Sequence, residues 1–321
     1  MNNYLFRKGS LLLAAAFTAA TLAPLATLAA SNSAKDTTAA GDPSAVIMTV
    51  TATAKRDAQP PTLTKNDVDL YQGKERVQVA DFARGETLYL AVLIDDSLRS
   101  DIAAQWPDLR RFIMAQPAPT YVAVAYARNG EAMLAQDFTT DHAKAANSLR
   151  LPLGTLTVAN SPYLALQNWM KRWPEQAKNQ RSSIVLLSSG IDYFRGGFPP
   201  QDPDLDTTIS QAQKKNINIW SIYVPDAGRG RRNGFRAFDW ENNLDRIAQQ
   251  TGGENYFLSL AMPVDLTPYF NSIQQHLNNQ YLLAFLGDGG HKGKYESVKV
   301  TSELRNVGFL SPSQVYLPAV R

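Results

Sequence analysis

The sequence predicts an α/β fold: a doubly wound, mostly parallel sheet with a small β-subdomain built from the two ends of the chain. Three observations predict it. Residues 88–94 and 183–188 are nearly continuous apolar runs, the pattern of strands buried on both faces of a parallel sheet. Between residues 86 and 279, strand-like runs alternate with stretches of helical periodicity. On either side, residues 45–85 and 280–321 are strand-rich, and neither segment alone makes a sheet able to bury a face, so they are expected to pair with each other.

Composition narrows the function classes. At 321 residues and 44% hydrophobic content the chain can bury one large core and a small second one. The net charge of +3 is mild, and Lys and Arg are dispersed except in one loop, which argues against nucleic acid as a partner. Residues 1–30 carry Arg7 and Lys8, then an apolar run broken by Pro24, then small residues at Ala29, Ala30 and Ser31. That is the pattern of a secretory signal peptide, and it predicts an exported protein, periplasmic or secreted, with no membrane span after cleavage. Without cysteine the chain forms no disulfide and takes no lipid anchor at a cleavage-site cysteine. Residues 31–44 are small and polar without periodicity and read as a flexible leader.

In chain order, residues 45–54 are β-branched and partly alternating, hence a strand. Short strands follow through residue 82, with turns at Pro60-Pro61 and Gln72-Gly73. The central strand at 88–94 leads into a helix over 101–114 that places Ile102, Leu109, Phe112 and Ile113 on one face. Residues 120–127 and 132–138 form a hairpin around Asn129-Gly130. Helices are expected over 142–149 and 163–178. A strand over 183–189 then precedes a long polar insertion at 193–206 and a helix carrying Ile209 and Ala212. A strand at 218–224, a basic loop at 225–239, a helix at 244–250, a strand at 254–258 and a helix at 263–279 complete the core. Strands at 280–285 and 295–300 close the chain.

Several stretches carry a resemblance. They are the apolar strand running into Asp95-Asp96-Ser97, the run Leu63-Thr64-Lys65-Asn66-Asp67-Val68-Asp69-Leu70-Tyr71-Gln72-Gly73-Lys74, and the Thr251-Gly252-Gly253 end of a helix. Together they resemble the von Willebrand factor type A (vWA) domain, in a branch of secreted bacterial vWA-related proteins. The resemblance spans residues 45–318. It implies one antiparallel edge strand after the first helix and a metal-ion-dependent adhesion site at the carboxyl end of the sheet. There, hard oxygen ligands hold Mg²⁺, Mn²⁺ or Ca²⁺, and a partner's carboxylate completes the coordination.

Carried over residue by residue, Asp95 and Ser97 take the first two positions and Ser161 the second-loop hydroxyl. Two positions depart from the pattern: Arg99 stands where a hydroxyl belongs and Ser189 where a carboxylate belongs. A unit charge ~5 Å from a divalent ion at an effective dielectric of ~20 shifts the balance by several kcal/mol. The expectation is therefore a degenerate site with no resident cofactor, in which Arg99 pairs with Asp95 or Asp96. Asp96 and Asp192 are the acids that could substitute for the lost one. A plainer role for Asp95 and Ser97 is helix N-capping.

Two loops on the same edge suggest a protein partner. One carries Tyr193, Phe194, Arg195 and Phe198, then Asp202, Asp204 and Asp206. The other carries Arg229, Arg231, Arg232, Phe235 and Arg236. Aromatic and Arg side chains are those enriched at interface hot spots. Trp106, Trp169, Trp173 and Trp220 read as core. No hydrolase, zinc or phosphate-loop motif is present, and His142, His276 and His291 lack ligand spacing and read as surface residues. The expectation is a non-catalytic, protein-binding module. The alternatives are a metal-dependent adhesion module, and a hydrolase or carbohydrate-acting enzyme in which a histidine approaches Ser188 or Ser189.

Overall fold

A computed structural model describes residues 45–55, 58–154, 159–194, 202–225, 234–257 and 265–319, with backbone alone for 234–238. The predicted signal peptide and leader lie outside the described residues, as do Arg195, Phe198, Arg229, Arg231 and Arg232 and the side chains of Phe235 and Arg236.

The subdomain strands at the start of the chain are β1 (Ala45–Ala54), β2 (Asp69–Gln72), β3 (Glu75–Val77) and β4 (Val79–Ala83). The core then runs β5 (Leu88–Asp95), α1 (Trp106–Met114), β6 (Thr120–Arg128), β7 (Glu131–Thr139), α2 (His142–Asn147), α3 (Pro162–Lys171), β8 (Arg181–Ser188), α4 (Pro203–Lys215), β9 (Ile217–Tyr223), α5 (Gly234–Thr251), β10 (Asn255–Tyr256) and α6 (Thr267–Asn278). The chain closes with β11 (Gln280–Leu286), β12 (Lys294–Thr301), β13 (Val307–Leu310) and β14 (Gln314–Leu317).

The core sheet has the order β10-β9-β8-β5-β6-β7, parallel throughout except for β7. That is a doubly wound sheet with one antiparallel edge strand, the vWA-like arrangement. Every residue of β5 is buried, and its alternation serves two faces. Leu88, Leu90, Val92 and Ile94 pack with α1, α2 and α6, while Tyr89, Ala91 and Leu93 pack with α3, α4 and α5. The β6–β7 hairpin turns at Asn129 (φ 53°) and Gly130 (φ 74°), the positive-φ pair that a tight hairpin requires.

The two ends of the chain do pair. β1 bonds β11 from Ala45↔Leu286 to Thr51↔Gln280, and the resulting sheet has the order β13-β1-β11-β4. A second sheet, β14-β12-β2-β3, packs on it around Val46, Met48, Val50, Leu70, Leu283, Phe285, Val300 and Leu317. The subdomain is thus two sheets, and β13 and β14 add strands that the sequence pattern did not single out. Arg84, just after β4, ties it to the core at the end of α6 by donating to the Asn278 carbonyl, and Arg181 at the start of β8 donates to the neighbouring Leu277 carbonyl. The negative end of the helix dipole is a natural partner for both cations. No helix among the described residues is long and apolar enough to cross a membrane.

Several boundaries differ from expectation. The first helix begins as a 3-10 turn over Ser100–Gln105 before α1. The helix expected over 163–178 stops at Lys171, short of Pro174. The polar insertion at 193–206 ends in α4: Asp202 is its N-cap, bonded by the Asp204 and Leu205 amides, and Asp204 and Asp206 lie in its first turn. Part of the basic loop is the start of α5.

Candidate functional site

In a doubly wound sheet the ligand crevice opens where neighbouring crossovers leave for opposite faces. Here that point is the carboxyl end of β5, between β6 and β8, and it holds Asp95. The carboxylate is 1% exposed and fully engaged. Oδ1 accepts from the Ser97 amide (3.0 Å), the Ser97 hydroxyl (2.6 Å) and Asn160 Nδ2 (3.3 Å), and Oδ2 accepts from the Ser188 hydroxyl (2.8 Å). Burial pushes the Asp95 carboxyl above its ordinary range, against the opposing pull of those hydrogen bonds.

Asp95 and Ser97 form a local turn in place of the expected helix N-cap; the cap of the following 3-10 turn is Arg99, without a side-chain bond. Arg99 does not pair with Asp95 or Asp96. It bridges to Asp101 at 2.8 Å on the exposed surface. The cation that answers Asp96 comes from 54 residues away: Arg150 Nη1 and Nη2 hold Oδ1 and Oδ2 at 2.7 and 3.0 Å. Arg150 is itself clamped, with its guanidinium 3.7 Å from the centre of the Tyr126 ring and its carbonyl receiving Tyr126 Oη and Trp106 Nε1. Sequence separation hides such a pair, and a short-range rule favours the wrong arginine. Asp96 also accepts from the Leu153 amide, so neither of its oxygens is free to replace a lost metal ligand.

Ser161 caps α3, accepting from the Leu164 amide, and donates to Asp192 Oδ2 at 2.7 Å. Asp192 is therefore beside the second-loop hydroxyl, as a substitute acid would be. Ser189 is buried on the loop between β8 and Gly190. Gly190 has φ +72°, and a Cβ there would lie 2.6 Å from the Trp240 carbonyl oxygen, so this turn admits glycine alone. Asn160, not among the predicted site residues, is the hub. Its Nδ2 reaches Asp95, its Oδ1 receives the Asn129 amide, and its carbonyl receives the Tyr193 and Phe194 amides. The signal for it in the sequence was its place directly before the cap Ser161.

Among the described residues, carboxylate oxygens of Asp192, Asp202 and Asp204 lie within 4.8 Å of one another. Asp202 and Asp204 stand at the positive end of α4, which favours carboxylates by itself. Around Asp95 itself, the hydrogen-bond donors are already in place. Two N–H donors already face Oδ1, and unlike hydroxyls they cannot turn round to share a cation. Arg99 and Ser189 supply no oxygen of the required kind, and Asp96 is held by Arg150.

The histidines lie elsewhere. His142 contacts the Thr120 carbonyl, and His276 stacks on Trp220 with Tyr256 Oη and Glu254 at its Nδ1. Both are half-buried, contrary to expectation, whereas His291 is exposed. None of these contacts reaches Ser188 or Ser189. The four tryptophans named above are buried, as expected.

Exposed apolar side chains stand on the two segments bonded to Asp96 and Asn160. Leu151 and Leu153 (59% and 47% exposed) stand on the segment that Asp96 fixes, and Phe194 (52%) on the segment that Asn160 fixes. Tyr193 is half-buried beside it.

The fold is that of a vWA-like α/β module. No protein-family model matches the chain, and no curated protein does. Among solved structures the chain is similar to the conserved hypothetical protein BatB from Bacteroides thetaiotaomicron (14% identity, 60% of this chain and 97% of that one, TM-score 0.42). It is also similar to an aerotolerance-related membrane protein from Bacteroides fragilis (14%, 60% and 99%, 0.41) and to the SpRpn10 VWA domain (14%, 59% and 95%, 0.40).

Proposed function

We propose that this chain is an exported, non-catalytic vWA-like module that binds a protein partner through the carboxyl edge of its core sheet, without a metal ion. The observation that carries this reading is the closed acid network together with exposed apolar side chains. Asp95 takes four hydrogen bonds and Asp96 a bidentate guanidinium, while Leu151, Leu153 and Phe194, on the segments bonded to Asp96 and Asn160, stay exposed. A rigid polar floor with exposed apolar anchors is the layout of an interface hot spot.

The experiment is thermal unfolding in millimolar Mg²⁺, Mn²⁺ or Ca²⁺ against a chelator, with Asp95→Ala alongside. An ion present at ~100 times its dissociation constant adds about 2.7 kcal/mol, a shift of several degrees. The expected outcome is no shift. A shift that Asp95→Ala removes would establish the metal-dependent adhesion module instead. In parallel, Leu151→Ser with Leu153→Ser is expected to leave the unfolding temperature within a degree or two while abolishing capture of the partner.

A further inference from the structure

At the opposite end of the core sheet, a cleft of about 650 Å³ lies between the core and the subdomain. We propose that it binds an extended acidic peptide segment of another protein, which adds to the free edge of β1.

The free edge follows from the strand pairing. β13 pairs with β1 only from Thr51 to Ala54, and after Leu310 the chain leaves through Ser311-Pro312 to bond the core, Ser313 N to the Gln250 carbonyl. On the antiparallel β1–β11 pair, alternate residues turn their N–H and C=O groups away from β11. Thr49 N reaches outward to Asn216 Oδ1, and Lys55 N reaches Asn306 on the β13 side, whereas Ala52 N bonds Asn279 beside β11. The odd-numbered residues therefore face outward. Ile47 directs its N–H and C=O into the cleft, which it lines with Ala45 and Val46.

Two further features specify the occupant. Asn216 lines the closed end of that edge, where its Oδ1 already takes the outward Thr49 N–H and leaves Ile47 as the next outward position. Lys178, Lys214 and Lys215 line the cleft and are exposed, and among the described residues none of them has a carboxylate within ion-pair distance. Among the described residues, Glu175 is the one acid on the lining. Backbone edge and excess positive charge together fit a strand that carries carboxylates.

The test uses the full chain and a fluorescently labelled, acetylated hexapeptide alternating aspartate and valine, with the lysine–valine hexapeptide as control. The acidic peptide is expected to bind, to weaken as salt rises, and to lose at least tenfold in affinity with Lys178→Glu, Lys214→Glu and Lys215→Glu combined. Ile47→Pro removes the edge donor without touching a ladder bond and is expected to weaken binding similarly. Hydrogen exchange at the Ile47 amide should slow when the peptide is bound, and that at Met48 should not change. Equal binding of both peptides, no binding at millimolar concentration, or affinity untouched by both variants would overturn the proposal. So would an Ile47 amide already protected in the free chain, the result expected if residues preceding Ala45 or a second copy fill the edge.

Discussion

The two ends of the core sheet treat buried polar groups differently. At the carboxyl end, Asp95, Asp96, Asn160, Ser161 and Ser188 are buried and each side chain is hydrogen-bonded, at 2.6–3.3 Å. At the amino end, where β8 and β9 begin beneath β1 and β11, Thr49 Oγ1, Thr51 Oγ1, Asn216 Nδ2 and Gln280 Oε1 are buried with no protein partner. Gln280 does bond Ser183 through Nε2, and Asn216 receives Thr49 N, so each side chain is half used. A complete network fixes one arrangement of its loops; an incomplete one leaves donors and acceptors for something else, or costs stability. The carboxyl end therefore reads as a rigid platform and the amino end as a seam with capacity to spare.

Four measurements break or sharpen that contrast. The largest effect is expected from Arg150→Met, which strands the 2%-exposed Asp96 carboxylate without its cation. About 3 kcal/mol of stability should be lost, read by urea unfolding, and Asp96→Asn in the same chain should recover part of it. Ser188→Ala comes next: it strips Asp95 Oδ2 of its donor and the Gly190 amide of its acceptor, at a cost of ~2 kcal/mol. A loss below half that would show that the platform is not a single network.

The third effect depends on pH. The Asp95 carboxyl titrates above its unfolded value of 3.8 because burial disfavours its charge. Below 3.8 it is protonated in both states and imposes no penalty; as pH rises through the folded value it becomes charged in a buried place and stability falls. The unfolding free energy of the parent chain minus that of Asp95→Asn should therefore decline with pH over that window and level off above it. The smallest effect belongs to the seam. Thr51→Val removes a hydroxyl that bonds nothing in the protein, and is expected to be neutral or to stabilise by up to ~1 kcal/mol. The same kind of change, loss of one hydroxyl, should thus have opposite signs at the two ends.

What the sequence made legible follows from how far each signal reaches. β5 was readable because burial on both faces leaves an unbroken apolar run, and the β6–β7 hairpin because Asn129 and Gly130 are the residues its turn demands. Pairing of the chain ends could be deduced because neither segment could cover a face alone. β13 and β14 escaped notice: each is four residues long, and β13 is half-buried throughout, so no periodicity develops. At the site, Asp95, Ser97 and Ser161 were marked by position, but the partner of Asp96 was not, since the fold alone brings Arg150 to it. The α4 cap was a missed signal rather than an absent one: Asp202 followed by Pro203 is the pattern of a helix start.

The pairing of β1 with β11 carries a consequence for the order of assembly. Ala45 and Leu286 are partners across almost the entire described chain, and the core is inserted between them. β1 leaves the ribosome long before its partner exists. Closing so long a loop is slow unless the intervening chain has already contracted, and folding of the core does this, since β5 and α6 return Arg84 and Asn278 to bonding distance. Core first and subdomain last is thus the kinetically accessible route. A chain truncated before β11 should fold its centre and leave β1 as an unpaired, apolar strand, the kind of segment that seeds aggregation.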